Sequence, residues 1–97
     1  MDKIKIPNEM DIMKMSLFLK VMADSTRVKI LFSIKDEPKS VNEIVEIVGA
    51  TQSAVSHQLS IMRNVNILDT KRDGNKIYYS LVDSQISKIL DIVKSHI

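Results

Sequence analysis

The sequence predicts a mainly α-helical fold with one small β-hairpin, in the order helix, helix, helix, helix, strand, strand, helix. Three observations lead to this prediction. Only two Gly and two Pro occur in 97 residues, so few positions interrupt a helix. Apolar residues recur at helical spacing through most of the chain, and after Asn66 the spacing changes to one typical of strands. The length is that of a single domain, residues 1–97.

The composition limits the classes of protein that the chain can represent. It is 44% hydrophobic and 27% charged, which is ordinary for a globular protein. No apolar run is long enough to span a membrane, and the start MDKIKIPNEM lacks the apolar core of a secretory signal, so we expect a cytoplasmic protein without membrane contact. The absence of cysteine excludes disulfides, thiolate metal sites and thiol redox sensing.

The small net charge of +2 comes from the second half of the chain. Residues 1–50 carry eight Lys/Arg and eight Asp/Glu, whereas residues 51–97 carry six Lys/Arg and four Asp. Local cations matter more for phosphate binding than the charge of the whole protein, and a dimer would double this excess.

The first predicted helix, residues 8–23, is apolar around most of its circumference. In so small a domain, one side of such a helix is expected to pack on the core and another on a partner chain; a core helix within a monomer is the alternative. The last predicted helix, residues 84–96, carries an apolar stripe with no later element to cover it. We therefore expect a homodimer joined through these two helices, and Leu90→Glu to give monomers. The expected interface residues are Met13, Leu17, Ile86, Ile89, Leu90 and Val93.

Two helices joined by a short turn are predicted in the middle of the chain. A helix over Thr26–Lys35 ends at Asp36-Glu37-Pro38, because the residue before proline is pushed out of the helical region. Ser40 and Glu43 have the spacing of a capping box and open a helix over Val41–Val48. Gly49 fits the position that closes it, and Thr51 can cap the next helix. This pattern, at about residues 41–65, is typical of a helix-turn-helix.

The helix that follows Thr51 has two opposed faces. Val55, Leu59 and Met62 recur at helical spacing and are expected to point inward. Exposed helix faces more often carry Glu and Lys, whereas Ser, Gln, His and Arg match base edges and phosphate oxygens in hydrogen-bonding character. The outward face therefore predicts binding to double-stranded DNA through Gln52, Ser53, Ser56, His57, Ser60 and Arg63. A protein-interaction module and an RNA-binding or architectural domain remain the alternatives.

Residues 67–81 predict two strands around the turn Asp73-Gly74-Asn75, in which Gly and Asn tolerate positive φ. Lys71, Arg72 and Lys76 surround the tip of this hairpin. A charged tip is usually only solvated, but beside a DNA-reading helix we expect at least one of these cations to contact the phosphate backbone or the minor groove.

The whole arrangement resembles the ArsR/SmtB family of small dimeric winged helix-turn-helix repressors. Three segments carry the resemblance: LKVMADSTRVKILFSI (19–34), SAVSHQLSIMR (53–63) and KRDGNKIYYSL (71–81). The resemblance implies a homodimer joined through the first and last helices, with the 52–63 helix in the major groove and Lys71, Arg72 and Lys76 near phosphates or the minor groove. It also implies a repressor that occupies a palindromic operator at a promoter and leaves it when an inducer binds.

The resemblance does not supply a complete metal site. Family members that sense arsenic or cadmium use cysteines, which this chain lacks. Those that sense zinc or nickel use the last helix, where only Asp83 and His96 match, with Gln85 at the second position. Two ligands do not satisfy tetrahedral zinc, and Asp83 as a helix cap and His96 near a helix end are the simpler interpretations. We expect no metal or other cofactor, with a metal-responsive repressor using Asp83 and His96 as an alternative.

No enzyme motif accompanies this pattern. The sequence has no Cys nucleophile, no paired histidines and no Gly-rich phosphate loop, so we expect no catalytic activity.

Overall fold

A computed structural model describes residues 3–97; the first two residues of the predicted domain lie outside the described residues. The helices are α1 (Glu9–Met22), α2 (Ser25–Ser33), α3 (Val41–Val48), α4 (Gln52–Asn64) and α5 (Ser84–His96). The strands are β1 (Lys39–Ser40), β2 (Leu68–Asp73) and β3 (Lys76–Leu81). The mainly helical fold is confirmed. None of the helices formed by these residues has both the length and the hydrophobicity that a membrane crossing needs.

The helix-turn-helix is set by local capping. The Ser40 backbone N–H donates to Glu43 Oε1 at 2.9 Å, and the Glu43 N–H donates to Ser40 Oγ at 3.3 Å. The hydrogen bond from the Ser40 backbone N–H is the main reason that the pKa of the Glu43 carboxyl is lowered from its ordinary value. Gly49 closes α3 with φ of 77°, and the Thr51 hydroxyl accepts from the Ala54 N–H to open α4. The predicted bounds of α3 and the predicted start of α4 are confirmed, and α4 ends at Asn64, one residue beyond the predicted 52–63.

Three local predictions need correction. Helix α2 ends at Ser33 rather than Lys35, because the backbone leaves the helical region at Ile34, where φ is −110° and ψ is 5°. The hairpin turn uses a left-handed residue only at Gly74; among residues 3–97, the non-glycine residue with positive φ is Asn66, in the turn after α4, and not Asn75. The sheet has three strands rather than two, because Lys39 and Ser40 pair with Tyr79 and Tyr78.

The core lies between the helix-turn-helix and the base of the hairpin. Its side chains come from every helix and from the start of the hairpin, and α1 contributes only Val21. The hairpin is joined to the end of α4, because the Ile67 N–H donates to the Met62 carbonyl at 3.1 Å. The two ends of the hairpin are joined by a second bond, in which the Val82 N–H donates to the Ile67 carbonyl at 2.9 Å. The buried apolar residues are Val21, Ile30, Leu31, Ile34, Ile44, Val55, Leu59, Met62, Ile67, Leu68, Ile86 and Leu90.

The apolar stripe of α5 is divided between two roles. Ile86 and Leu90 were predicted at the dimer interface, but they are only 5% and 4% exposed and belong to the core of their own protomer. Both therefore serve mainly the core of one protomer, although Leu90 also lines the groove between α1, α2 and α5, and their contact with a second chain stays a prediction. Ile89 is half-buried and Val93 is exposed, so both keep surface that a partner could cover.

An ion pair fixes α5 to the segment that follows α2. Lys35 Nζ lies 3.0 Å from Asp91 Oδ1 and 3.5 Å from Asp36 Oδ1. The hydrogen bond with Asp91 is the main reason that the pKa of Lys35 is raised from its ordinary value.

Candidate nucleic-acid interface

Helix α4 presents one face to the core and the opposite face to solvent. Val55, Leu59 and Met62 are buried, as their spacing predicts. The six residues predicted for the outward face, Gln52, Ser53, Ser56, His57, Ser60 and Arg63, are all exposed. Within residues 3–97, the one side-chain hydrogen bond from this set joins Ser53 Oγ to the Thr51 hydroxyl at 3.5 Å. The face thus carries hydroxyl, amide, imidazole and guanidinium groups with unused hydrogen-bonding capacity.

The amino-terminal end of α4 adds a favourable field for an anion. Thr51 caps the helix through the Ala54 N–H, and no acidic residue lies in the first turn. Unpaired N–H groups and the helix dipole make such an end attractive to phosphate oxygens. The backbone N–H groups of this first turn, which begins with Gln52 and Ser53, therefore lie where a phosphate of a bound nucleic acid would be stabilised.

The hairpin places its three cations on two different faces. Strand pairing puts Arg72 opposite Ile77, Lys71 opposite Tyr78 and Asp73 opposite Lys76. Directly opposed residues share a face and successive residues alternate, so Arg72 lies on one face while Lys71 and Lys76 lie on the other. The three cations therefore surround the tip without sharing one face of the hairpin.

These two faces differ in their acidic neighbours. The face of Lys71 and Lys76 also carries Asp69 and Asp73, whereas the face of Arg72 continues through Thr70 and Tyr79 toward the core. All three cations are exposed. Among residues 3–97, no carboxylate oxygen lies within salt-bridge distance of Arg63 or of the three hairpin cations. Arg72, which has no acidic residue on its face of the hairpin, is therefore the cation best placed to contact phosphate.

One contact behind α4 has no counterpart in the sequence predictions. Arg27 Nε donates to Gln58 Oε1 at 2.6 Å, and Arg27 Nη1 donates to the Val21 carbonyl at 3.1 Å. The residues are 31 positions apart, and no local pattern marks Gln58 as the partner of Arg27. In the sequence, Arg27 and Gln58 stand out only because neither belongs to the predicted outward face or to the predicted core.

The two metal candidates are far apart within the chain. Asp83 Oδ1 accepts from the Gln85 and Ile86 N–H groups at 2.9 and 3.3 Å, so its carboxylate caps α5. His96 ends the same helix, about 20 Å away at the rise of an α-helix. In the part of the chain that the structure describes, no group of three or more His, Cys, Asp or Glu residues could hold a metal ion.

Comparison with known proteins identifies the family. The family described as "Bacterial regulatory protein, arsR family" matches residues 24–70. The HTH-type transcriptional regulator NmtR of Mycobacterium tuberculosis is 38% identical over 73 residues, which span 75% of this chain and 61% of NmtR. The crystal structure of NolR from Sinorhizobium fredii matches with a TM-score of 0.83 at 33% identity, covering 98% of this chain and 95% of NolR.

The chain belongs to the arsR family. The fold is accordingly a winged helix-turn-helix, with α3 and α4 as the two helices and the β2–β3 hairpin as the wing. A homodimeric winged helix-turn-helix DNA-binding domain from Mycobacterium bovis has the same fold, with a TM-score of 0.84 over 98% of this chain and 88% of that one at 17% identity. The chain spans 61%, 55% and 60% of the length of three curated relatives that it matches.

Proposed function

We propose that the protein is a dimeric, sequence-specific DNA-binding transcriptional regulator, of the repressor type, without catalytic activity. The observation that carries this proposal is the outward face of α4, on which six short polar or cationic side chains are exposed and almost free of internal hydrogen bonds. Such groups can pair with base edges in the major groove, which admits an α-helix. A regulator of a bacterial family with this chemistry would act in the cytoplasm, where it meets its DNA.

The apolar surface of α1 supports a homodimer. Met13 and Leu17 are 65% and 52% exposed, and Met10, Met15 and Leu19 are exposed as well. Met10, Met13 and Leu17 follow one side of the helix and Met15 and Leu19 follow another, and exposed apolar surface of this extent marks an interface. A second apolar surface lies on the same protomer, in a groove of about 500 Å³ between α1, α2 and α5 that is lined by Met22, Val28, Phe32, Ile89 and Val93 among others. We propose that the two protomers cover these surfaces mutually about a twofold axis.

A twofold dimer explains how the regulator selects its operator. Each protomer would place its α4 in a major groove, and the wing would contact the flanking backbone through Arg72. Twofold-related helices fit a palindromic operator whose half-sites lie one duplex turn, or a multiple of it, apart. The base contacts would give sequence preference, and the phosphate contacts would give salt-dependent affinity.

We also propose that the regulator has no resident metal. Asp83 uses its carboxylate to cap α5, and Asp83 with His96 would supply only two ligands to a site shared across the dimer, where tetrahedral zinc usually takes four. Release of the regulator from its operator would then depend on a signal other than the binding of zinc or nickel at α5.

Replacing Gln52 or Ser56 by alanine is expected to weaken operator binding by roughly 1–3 kcal/mol, with a smaller effect on scrambled DNA, because each change removes a base contact. Arg72→Ala is expected to lower both affinities about equally and to flatten the salt dependence, because it removes a phosphate contact. The operator is first selected from a randomised duplex library with the wild-type protein, and affinities are then measured by fluorescence anisotropy at several salt concentrations.

The control is Asn42→Ala, an exposed polar position on α3 outside the assigned surface, which should change neither affinity. Unchanged operator affinity in all three test variants would show that α4 and the wing are not the reading surface. A wild-type protein that does not retain any duplex at physiological salt would instead indicate a protein-interaction module.

A further inference from the structure

We propose that Arg27 and Gln58 form a positioning clamp that sets the orientation of α4 toward DNA, without touching DNA themselves. The inference rests on the proposed function. The guanidinium of Arg27 reaches two elements at once: Nε donates to Gln58 in α4 at 2.6 Å, and Nη1 donates to the Val21 carbonyl in the last turn of α1 at 3.1 Å. A single side chain on α2 therefore connects the helix proposed to dimerise with the helix proposed to read bases.

The base of this clamp is itself fixed. The Arg27 backbone N–H donates to Asp24 Oδ2 at 3.1 Å, as part of the cap that opens α2. The Val21 carbonyl belongs to the last turn of α1, where carbonyls have no partner within the helix, so Arg27 also satisfies an end of α1. Because the guanidinium is planar and its donors have fixed directions, two acceptors bound to it hold a fixed relative position.

Apart from the backbone hydrogen bond between Ile67 and Met62 at its carboxyl end, the contacts of α4 with the core give less directional control. Its inner face consists of Val55, Leu59 and Met62, and apolar contacts are non-directional. A rotation of α4 by about 20° would move side chains at a helix radius of about 5–6 Å by roughly 2 Å, which is enough to break a hydrogen bond to a base. Gln58 is half-buried at the edge of the outward face, beside His57, so a bond at this position opposes such a rotation.

The clamp is tested with a matched pair of substitutions at Gln58. Gln58→Met keeps the length and the apolar stem but removes the acceptor; Gln58→Glu keeps an oxygen acceptor for Arg27. We expect Gln58→Met to reduce the preference for the selected operator over scrambled duplex about tenfold, with unchanged affinity and salt slope on scrambled duplex. Gln58→Glu should weaken both affinities through its added charge but keep their ratio within about threefold.

A double-substitution cycle separates the clamp from a direct base contact by Gln58. Arg27→Met should reduce the operator preference as Gln58→Met does, and the double variant should lose no more than either single variant, because both remove the same interaction. Thermal unfolding, monitored by circular dichroism, establishes that the variants compared are folded. If Arg27→Met is unfolded, Arg27→Lys replaces it, because lysine lacks the two directed donors of the guanidinium group.

The outcomes distinguish the clamp from the function on which it rests. A wild-type protein without operator preference would overturn both. A wild-type preference that survives in Gln58→Met, or losses that add in the double variant, would overturn the clamp alone. An equal loss on operator and scrambled duplex in Gln58→Met would also overturn it, since that result indicates a general loss of structure or charge contact.

Discussion

Leu17→Glu is expected to convert the dimer into monomers and to abolish operator binding at concentrations where the wild-type protein is saturated. Leu17 is 52% exposed in the protomer and lies on the same stripe of α1 as Met13. In the twofold dimer each protomer carries the substitution, so two unpaired carboxylates are buried at the interface. A cost of about 3 kcal/mol or more would raise the dissociation constant of the dimer roughly a hundredfold.

Sedimentation velocity over a range of protein concentrations measures this change, and operator affinity is measured in parallel. The matched control is Ser16→Glu, which adds the same charge at the neighbouring position. Ser16 is exposed on the polar stripe of α1 with Glu9 and Lys20, at helical spacings of seven and four residues. The control is expected to remain dimeric. If Leu17→Glu sediments as a dimer like the control, the proposed interface on α1 is wrong.

Leu90→Ala is expected to reduce the free energy of unfolding by about 2–5 kcal/mol, because it leaves a cavity in a packed core. Such a loss is a large part of the stability of a small domain. From the sequence we expect Leu90→Glu to separate two intact protomers. The burial of Leu90 in the structure changes this expectation. With Leu90 only 4% exposed, a charge there would unfold the protomer itself.

Urea unfolding of Leu90→Ala is best measured in the Leu17→Glu background, which removes the contribution of dimerisation to apparent stability. Val93→Ala, on the same helix but 59% exposed, is the control and should change the unfolding free energy by less than about 0.5 kcal/mol. Equal effects of the two substitutions would contradict the assignment of Leu90 to the core and Val93 to the surface.

The parts of the fold that the sequence predicts well are those stabilised by neighbours in the chain. The capping box of Ser40 and Glu43 and the left-handed Gly49 act over three or four residues, so α3, the turn and α4 can be located from local patterns. Strand β1 cannot be located in this way, because its two residues form a strand only through pairing with Tyr78 and Tyr79, which lie 38 to 40 positions later.

Helical spacing indicates that α5 has an apolar stripe but not what covers each part of it. Ile86 and Leu90 meet the core of their own protomer, whereas Val93 remains exposed, and both kinds of position have the same sequence character. The same limit applies to the wing. The pairing of its strands places Arg72 on the opposite face from Lys71 and Lys76, and the order of residues alone does not show this. The outward face of α4 was predictable because its polarity contrasts with that of the buried face along a single helix.

The proposed function requires the two α4 helices of a dimer to enter the major groove twice along one duplex. Dimethyl sulfate footprinting of the selected operator tests this most directly, because the reagent methylates guanine N7 in the major groove, where a reading helix would lie. The expected result is two protected segments on one side of the duplex, with centres about 10–10.5 base pairs, or a whole multiple of that, apart. A single protected segment, or saturating binding that leaves every guanine N7 reactive, would contradict the account.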